Sequence, residues 1–227
     1  MLILACDTSG KSCSVALLDE GKLLYESVNQ NLRTHSVNFM PMVEECFLHA
    51  ERDISEVDLF ACVNGPGSFT GIRIGVASVK AFASALNKPC IAVSSLEALS
   101  MNLKGGFDVL CCPLADARRS QVYCAAFQNE NRLFDDDILL IDEFLKKLET
   151  IRKNNEKLAF LGDGAEINRA VIIERFKDAV FIDNPNIYAG NVAKIAFKKR
   201  EAPISAGELK PVYLRLAQAE RERLENA

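Results

Sequence analysis

The chain has 227 residues, of which 49% are hydrophobic and 26% are charged. These fractions are close to those of average globular proteins, so they exclude disordered, collagen-like and fibrous classes. The 27 basic and 31 acidic residues give a net charge of −4, and no large basic block occurs. A free-standing nucleic-acid-binding protein is therefore disfavoured, because neutralising phosphates requires clustered Lys and Arg. The length fits one or two domains.

The first half of the chain reads as three strands followed by alternating helices and strands. A polar turn at 19–22 joins the second and third strands, as in a hairpin. The predicted strands are 2–6, 12–18, 23–28, 59–63 and 91–93. The predicted helices are 36–51, 71–86 and a short one that holds Leu96 and Leu99.

The same order of elements restarts after the break at 104–106. The predicted strands are 109–115, 122–127, 138–141, 158–161 and 180–182, and the predicted helices are 143–149, 165–176 and 189–199. Asp7 and Asp116 each close the first strand of their half. This repetition predicts a duplicated α/β protein with two βββαβα halves, 1–104 and 105–227. We expect a last helix over about 212–226 to pack back on the first domain.

The eight cysteines do not have the spacing of a metal or redox site, because no CxxC pair occurs. Most of them lie inside apolar runs. We therefore predict buried free thiols in a reducing cytoplasm. No apolar run approaches the roughly 20 residues that a membrane span needs. The sequence predicts a soluble cytoplasmic protein without a membrane partner.

Asp7, Thr8 and Ser9 follow the first strand and form one candidate phosphate loop. A carboxylate beside two hydroxyls can order a magnesium-bound phosphate. The alternative is a strand end whose Asp and Ser side chains bond local backbone amides. The corresponding loop after Asp116 has no glycine that would let a phosphate reach the backbone. The sequence therefore favours a vestigial phosphate loop without a bound cofactor.

Gly65, Gly67 and Gly71 lie in the segment 64–75, NGPGSFTGIRIG, just before a predicted helix. Backbone amides at such a helix start can hold an anion. The segment nevertheless lacks the Lys-Ser/Thr of a Walker loop and the spacing of GxGxxG. We favour a structural motif, a strand-to-helix turn packed against neighbouring backbone.

The sequence shows no catalytic constellation and no metal site. His35 and His49 are too far apart for an HxxxH or HExxH pair. No Ser-His-Asp or Cys-His arrangement emerges, and Ser68 does not match GxSxG. We expect His35 to cap or pack at a helix start, and Asp135–Asp137 to form a solvated turn.

The helices predicted over 36–51 and 71–86 carry more apolar surface than one sheet face covers. Val37 and Leu48 form a small apolar patch outside the main arc of the first helix. Such an excess predicts a contact with another protein. The candidate partner-interface residues are Met40, Val43, Phe47, Ile72, Gly75, Val76, Val79 and Phe82.

Two resemblances follow from these motifs. The duplicated halves, each with an Asp closing its first strand, resemble the actin-like ATPase and sugar-kinase (ASKHA) superfamily, which is built from RNase H-like domains. The segment NGPGSFTGIRIG is more specific. Together with Asp7-Thr8-Ser9, Thr34-His35-Ser36 and the PVYLR segment at 211–215, it resembles the TsaB (YeaZ) family.

The second resemblance implies a non-catalytic scaffold that pairs with TsaD, in a complex that includes TsaE. This complex transfers a threonylcarbamoyl group to the adenosine next to the anticodon of tRNA, and the scaffold reaches tRNA only through the complex. Two helices of the first domain would pair with TsaD, or with a second copy in isolation. The chain lacks the histidine pair with which TsaD binds metal. The alternative is an active ASKHA-type ATPase or small-molecule kinase that uses Asp7 and Asp116.

Overall fold

A computed structural model describes residues 1–30, 35–103, 109–153 and 156–215. The strands of the first sheet are β1 (Leu2–Asp7), β2 (Cys13–Asp19), β3 (Lys22–Asn29), β4 (Leu59–Gly65) and β5 (Cys90–Ser94). Those of the second are β6 (Val109–Asp116), β7 (Gln121–Gln128), β8 (Asn131–Leu140), β9 (Lys157–Leu161) and β10 (Val180–Ile182). The helices are α1 (His35–Ala50), α2 (Phe69–Leu86), α3 (Ser95–Ser100), α4 (Ile141–Ile151), α5 (Asp163–Ile167), α6 (Arg169–Arg175) and α7 (Ala189–Lys198).

The two sheets have the same topology. Their strand orders are β3-β2-β1-β4-β5 and β10-β9-β6-β7-β8. In the first, β1 pairs antiparallel with β2 and parallel with β4. In the second, β6 pairs in the same two ways with β7 and β9. This repetition confirms the prediction of two duplicated α/β halves.

Both faces of the first sheet are covered, which explains why β1 and β2 are continuous apolar runs. On one face, α1 and α2 pack over β1, β2 and β4. The opposite face packs against α7, although α7 belongs to the second half of the sequence. The second sheet is covered by α4 and α6 on its outer face and by α3 on its inner face.

The helices α3 and α7 are thus exchanged between the halves, and together they fill the space between the two sheets. A single apolar cluster runs from Ile3 of β1 through Leu96 of α3 and Val192 of α7 to Phe127 of β7. The helix α7, which lies within the predicted C-terminal domain 105–227, therefore completes the core of the first sheet. The predicted boundary at 104–105 lies outside the described residues.

Three further predictions differ from the structure. Asp135–Asp137, predicted to form a turn, belong to the strand β8, which starts at Asn131 and not near 138. This strand lies at the edge of its sheet, where charged side chains can reach solvent. The helix predicted over 165–176 is divided at Asn168 into α5 and α6. Residues 212–215 are not helical. The rest of the predicted last helix lies outside the described residues.

The helix α2 is long and apolar enough to cross a membrane by length and composition, contrary to the expectation that no such run exists. Its inner face, with Ile72, Val76 and Val79, is buried against the first sheet. Core helices of globular proteins have this arrangement. Ser68 caps its start through a hydrogen bond from the Gly71 amide, and Asn87 ends it in the left-handed conformation.

Candidate functional site: the interdomain cleft and the outer helix face

The loop after β1 is buried and bonded to itself and to α2. Asp7, Thr8 and Ser9 are each at most 3% exposed. The Ser9 amide and hydroxyl both donate to Oδ1 of Asp7, at 2.9 and 2.6 Å. This is the local backbone bonding that the sequence offered as the alternative to phosphate binding.

The glycine-rich segment provides space for that loop. A Cβ at Gly71 would overlap the carbonyl oxygen of Thr8, and one at Gly67 would lie 2.6 Å from the carbonyl oxygen of Ser9. Gly67 also has a φ of 155°, and Gly65 one of 135°, in the region that favours glycine. These contacts confirm the prediction that the segment packs against neighbouring backbone.

Asp7 is a buried acid with one unsatisfied oxygen. Its Oδ2 has no hydrogen-bond partner among the described residues. Burial raises the pKa of Asp7 to about 6, although the hydrogen bonds from Ser9 and the nearby charge of His35 lower it. His35 itself contacts the Gly10 carbonyl oxygen through Nε2 at 2.9 Å, so it packs at the start of α1 as predicted.

One ion pair links the loop after β1 to the second half. Lys11, from the loop after β1, lies 3.2 Å from Oδ2 of Asp163, whose Oδ1 accepts the Asp116 amide at 3.0 Å. Arg118 pairs with Asp116 at 3.3 Å. Charged groups of the chain itself therefore meet across the cleft between the two halves.

The cleft encloses a cavity of about 550 Å³, lined by Lys11, Ser68, Arg118 and Tyr213 among others. Gly162 and Gly164 lie at its edge, where a Cβ on either would press against the backbone of β6. They form a tight turn that packs against β6. No group of three metal-ligating side chains occurs in the part of the chain that the structure describes.

The segment 209–215, which we call the strap, joins the halves along the cleft. Leu209 is buried under the first sheet, and the Val212 amide donates to the Asn64 carbonyl at 2.7 Å. A Cβ on Gly65 would overlap the Val212 carbonyl oxygen, so this glycine lets the strap cross. At its end, Arg215 donates to the carbonyl oxygen of Ala117 in the second half.

The strap contains the PVYLR segment at 211–215, to which the sequence alone assigned no contact. Tyr213 stacks on Phe69 with ring centroids 4.6 Å apart. The Nε of Arg73 donates to the Tyr213 hydroxyl at 2.9 Å. No periodicity links 213 to 69 and 73, so this aromatic and cationic cluster could not be found from the pattern.

The predicted partner interface is wrong for most of its residues. The buried members are Val43, Ile72, Gly75, Val76 and Val79, which belong to the core of the first sheet. Phe47 and Phe82 are half-buried against the same core, where Phe82 stacks on Phe60. Of the eight, only Met40 is exposed, at 44%. The apolar arcs that the sequence showed are those that face the sheet.

A different set of apolar residues faces outward on these two helices. The outer face consists of Val37, Met40 and Leu48 of α1 with Ala77 and Ala81 of α2. Val37 and Leu48 are 57% and 75% exposed. Both helices pack on the same face of the sheet and contact each other. Exposed apolar side chains on two neighbouring helices make this face a candidate protein–protein contact.

Comparison with known proteins agrees with this architecture. The family model of TsaD, tRNA N6-adenosine threonylcarbamoyltransferase, matches residues 25–217. The tRNA threonylcarbamoyladenosine biosynthesis protein TsaB of Bacillus subtilis is 35% identical, over 100% of this chain and 99% of that protein. TsaB of Haemophilus influenzae is 28% identical, over 95% of this chain and 94% of that protein.

Solved structures extend the likeness to the fold. YeaZ from Pseudomonas aeruginosa superposes with a TM-score of 0.79 at 28% identity, covering 94% of this chain and 99% of that one. The activator of 2-hydroxyisocaproyl-CoA dehydratase from Clostridium difficile superposes with a TM-score of 0.52 at 10% identity, covering 88% of this chain and 96% of that one. This likeness concerns the fold alone. The chain has the two-domain ASKHA architecture, and it belongs to the TsaB (YeaZ) family of tRNA threonylcarbamoyladenosine biosynthesis proteins.

Proposed function

We propose that this chain is a catalytically inactive subunit that binds TsaD through the outer face of α1 and α2. It holds TsaD in the state that transfers the threonylcarbamoyl group to the adenosine next to the anticodon of tRNA. TsaE joins the same complex, tRNA contacts this chain only through the complex, and all of them act in the cytoplasm. The observation that carries the proposal is the exposed apolar surface of Val37, Met40 and Leu48 beside Ala77 and Ala81.

The cleft supports the inactive part of the proposal. The hydroxyls of Thr8 and Ser9 are engaged with Gly71, Gly75 and Asp7, and all three residues of the loop are buried. Gly71 and Gly67 pack directly on the loop backbone, where a Cβ on either would clash with the carbonyl oxygens of Thr8 and Ser9. Because the loop hydroxyls already have partners within the chain, the loop offers few groups to a nucleotide.

The test places a charge on the outer face. Ala77→Glu and Leu48→Glu should each abolish co-elution with TsaD, because a carboxylate in an apolar contact would be desolvated without a partner. Ala170→Glu and Ile167→Glu are matched controls, since both are exposed residues of the second half and Ile167 is 63% exposed. The controls should leave co-elution and tRNA modification unchanged.

Full modification of tRNA by TsaD and TsaE without this chain would refute the proposal. So would unchanged TsaD binding by both outer-face variants. Calorimetric titration with ATP and magnesium tests the kinase alternative. Micromolar binding with turnover by the isolated chain would refute the inactive scaffold and support an active ATPase.

A further inference from the structure

Arg73 is an exposed arginine whose side chain is held by two aromatic rings. Its guanidinium carbon lies 3.8 Å from the centroid of the Phe69 ring, and its Nε donates to the Tyr213 hydroxyl. Tyr213 is itself held by the strap, next to the hydrogen bond between Val212 and Asn64. A side chain that is ordered before binding loses less conformational entropy when a partner contacts it.

Arg73 lies on the same stripe of α2 as the outer face. Ala77 and Ala81 follow it by one and two helical turns, and all three are exposed. Among the described residues, no carboxylate forms an ion pair with Arg73, whereas Arg52, Arg118 and Arg169 each pair with at least one. The apolar stripe therefore ends at a fixed cation that has no carboxylate partner within residues 1–30, 35–103, 109–153 and 156–215.

The charge of α2 indicates what would cover it. The helix contains Arg73 and Lys80 but no acidic residue. A complementary partner therefore presents carboxylates toward α2. Arginine binds a carboxylate through two parallel hydrogen bonds, and arginine and tyrosine are enriched among the residues that dominate binding energy at interfaces.

We propose that Arg73 is the anchor of the outer face: it receives a carboxylate of the TsaD subunit, and Phe69 and Tyr213 position its guanidinium. The inference rests on the proposed function, because it needs TsaD to cover α2. It assigns the PVYLR segment a part in partner recognition. The competing occupant is a second copy of this chain, which would offer the exposed Glu44 of α1.

Calorimetric titration of TsaD with the full chain, at about 0.05 and 0.5 M salt, tests the anchor. Arg73→Gln should weaken binding at least about tenfold at low salt and remove most of its salt dependence. Tyr213→Phe keeps the ring but loses the hydroxyl, so it should weaken binding a few-fold and retain the salt dependence. Lys177→Gln is the control for loss of an exposed positive charge away from α2, in the second half, and should bind as the wild type does.

The outcomes separate the two proposals. If Ala77→Glu abolishes binding while Arg73→Gln binds as the wild type does, the outer face stands and the anchor is refuted. If Ala77→Glu also binds normally, both proposals fail. If Arg73→Gln changes only the self-association of the isolated chain in sedimentation, the anchor serves a second copy and the inference is overturned. Should Arg73→Gln lower the melting temperature, Arg73→Lys decides, because it keeps the charge and should still lose affinity without the two-point contact.

Discussion

Gly75 donates its backbone amide to the hydroxyl of Thr8 at 3.1 Å, and that hydroxyl donates in turn to the carbonyl of Gly71 at 2.7 Å. Gly71 and Gly75 are one turn apart in α2, so Thr8 bridges the two groups that an α-helix pairs with each other. The loop after β1 thus takes part in the backbone hydrogen bonding of α2.

Thr8→Val should destabilise the protein by about 1–3 kcal/mol, because it leaves buried groups of α2 without the bridging hydroxyl. Thr8→Ser keeps the hydroxyl and loses one methyl group, so its cost should be about 1 kcal/mol. Urea denaturation of the two variants gives both free energies of unfolding. Equal losses would show that the methyl group, and not the bridge, matters at this position.

The pKa of Asp7 predicts a stability that falls as pH rises. The folded state keeps the Asp7 proton up to about pH 6, whereas the ordinary value is 3.8. The stabilising contribution is therefore complete below pH 3.8 and is lost as pH rises through 6, a change of about 3 kcal/mol. Urea midpoints measured from pH 4.5 to 7.5 should decrease accordingly.

Asp7→Asn should flatten that pH dependence and leave tRNA modification largely intact. The charge of His35 lowers the pKa of Asp7, so a His35→Gln background shows how Asp7 behaves without that charge. If the pH profile of Asp7→Asn matches that of the wild type, Asp7 is not the group responsible. A loss of modification in a folded Asp7→Asn protein would give the phosphate loop a functional role.

Gly71→Val should prevent stable folding, and Gly71→Ala should cost at least about 1–3 kcal/mol. The reason is that a Cβ at position 71 would overlap the carbonyl oxygen of Thr8. The backbone of α2 or of the loop would have to move to relieve that overlap. Gly10 is the matched control, since a Cβ there meets no atom within 4 Å. Thermal melting should show Gly10→Ala close to the wild type. A normal melting temperature for Gly71→Val would mean that α2 moves away without penalty.

All eight cysteines are free and buried. Burial raises the pKa of the Cys13 and Cys46 thiols to about 12, so little thiolate forms at neutral pH. A thiol reagent such as DTNB should therefore label almost none of them in the native protein and all eight in urea. Rapid labelling of one thiol without denaturant would reveal a local opening of the core.

The strands and helices of both halves could be predicted because their periodicity is determined by burial on a sheet. Which faces of α1 and α2 point away from the sheet could not be predicted from the sequence. Their outer faces hold Ala77, Ala81 and Met40, residues that a sequence pattern does not distinguish from Val76 and Val79 inside. The exchange of α3 and α7 was also missed, because both are apolar helices and only three-dimensional packing determines which sheet they cover. The cluster of Arg73 and Tyr213 depends on residues 140 positions apart.

The position of α7 determines when the first half can fold during synthesis. Residues such as Ile3 and Ala5 face α7, so a nascent chain that has not yet reached residue 189 leaves that side of the first sheet uncovered. The strand β1 and the helix α7 are almost two hundred residues apart in the sequence. Contacts between such distant segments form slowly. We therefore expect the ribosome-bound first half to expose apolar surface until α7 has been made, a state in which chaperone binding protects a chain from aggregation.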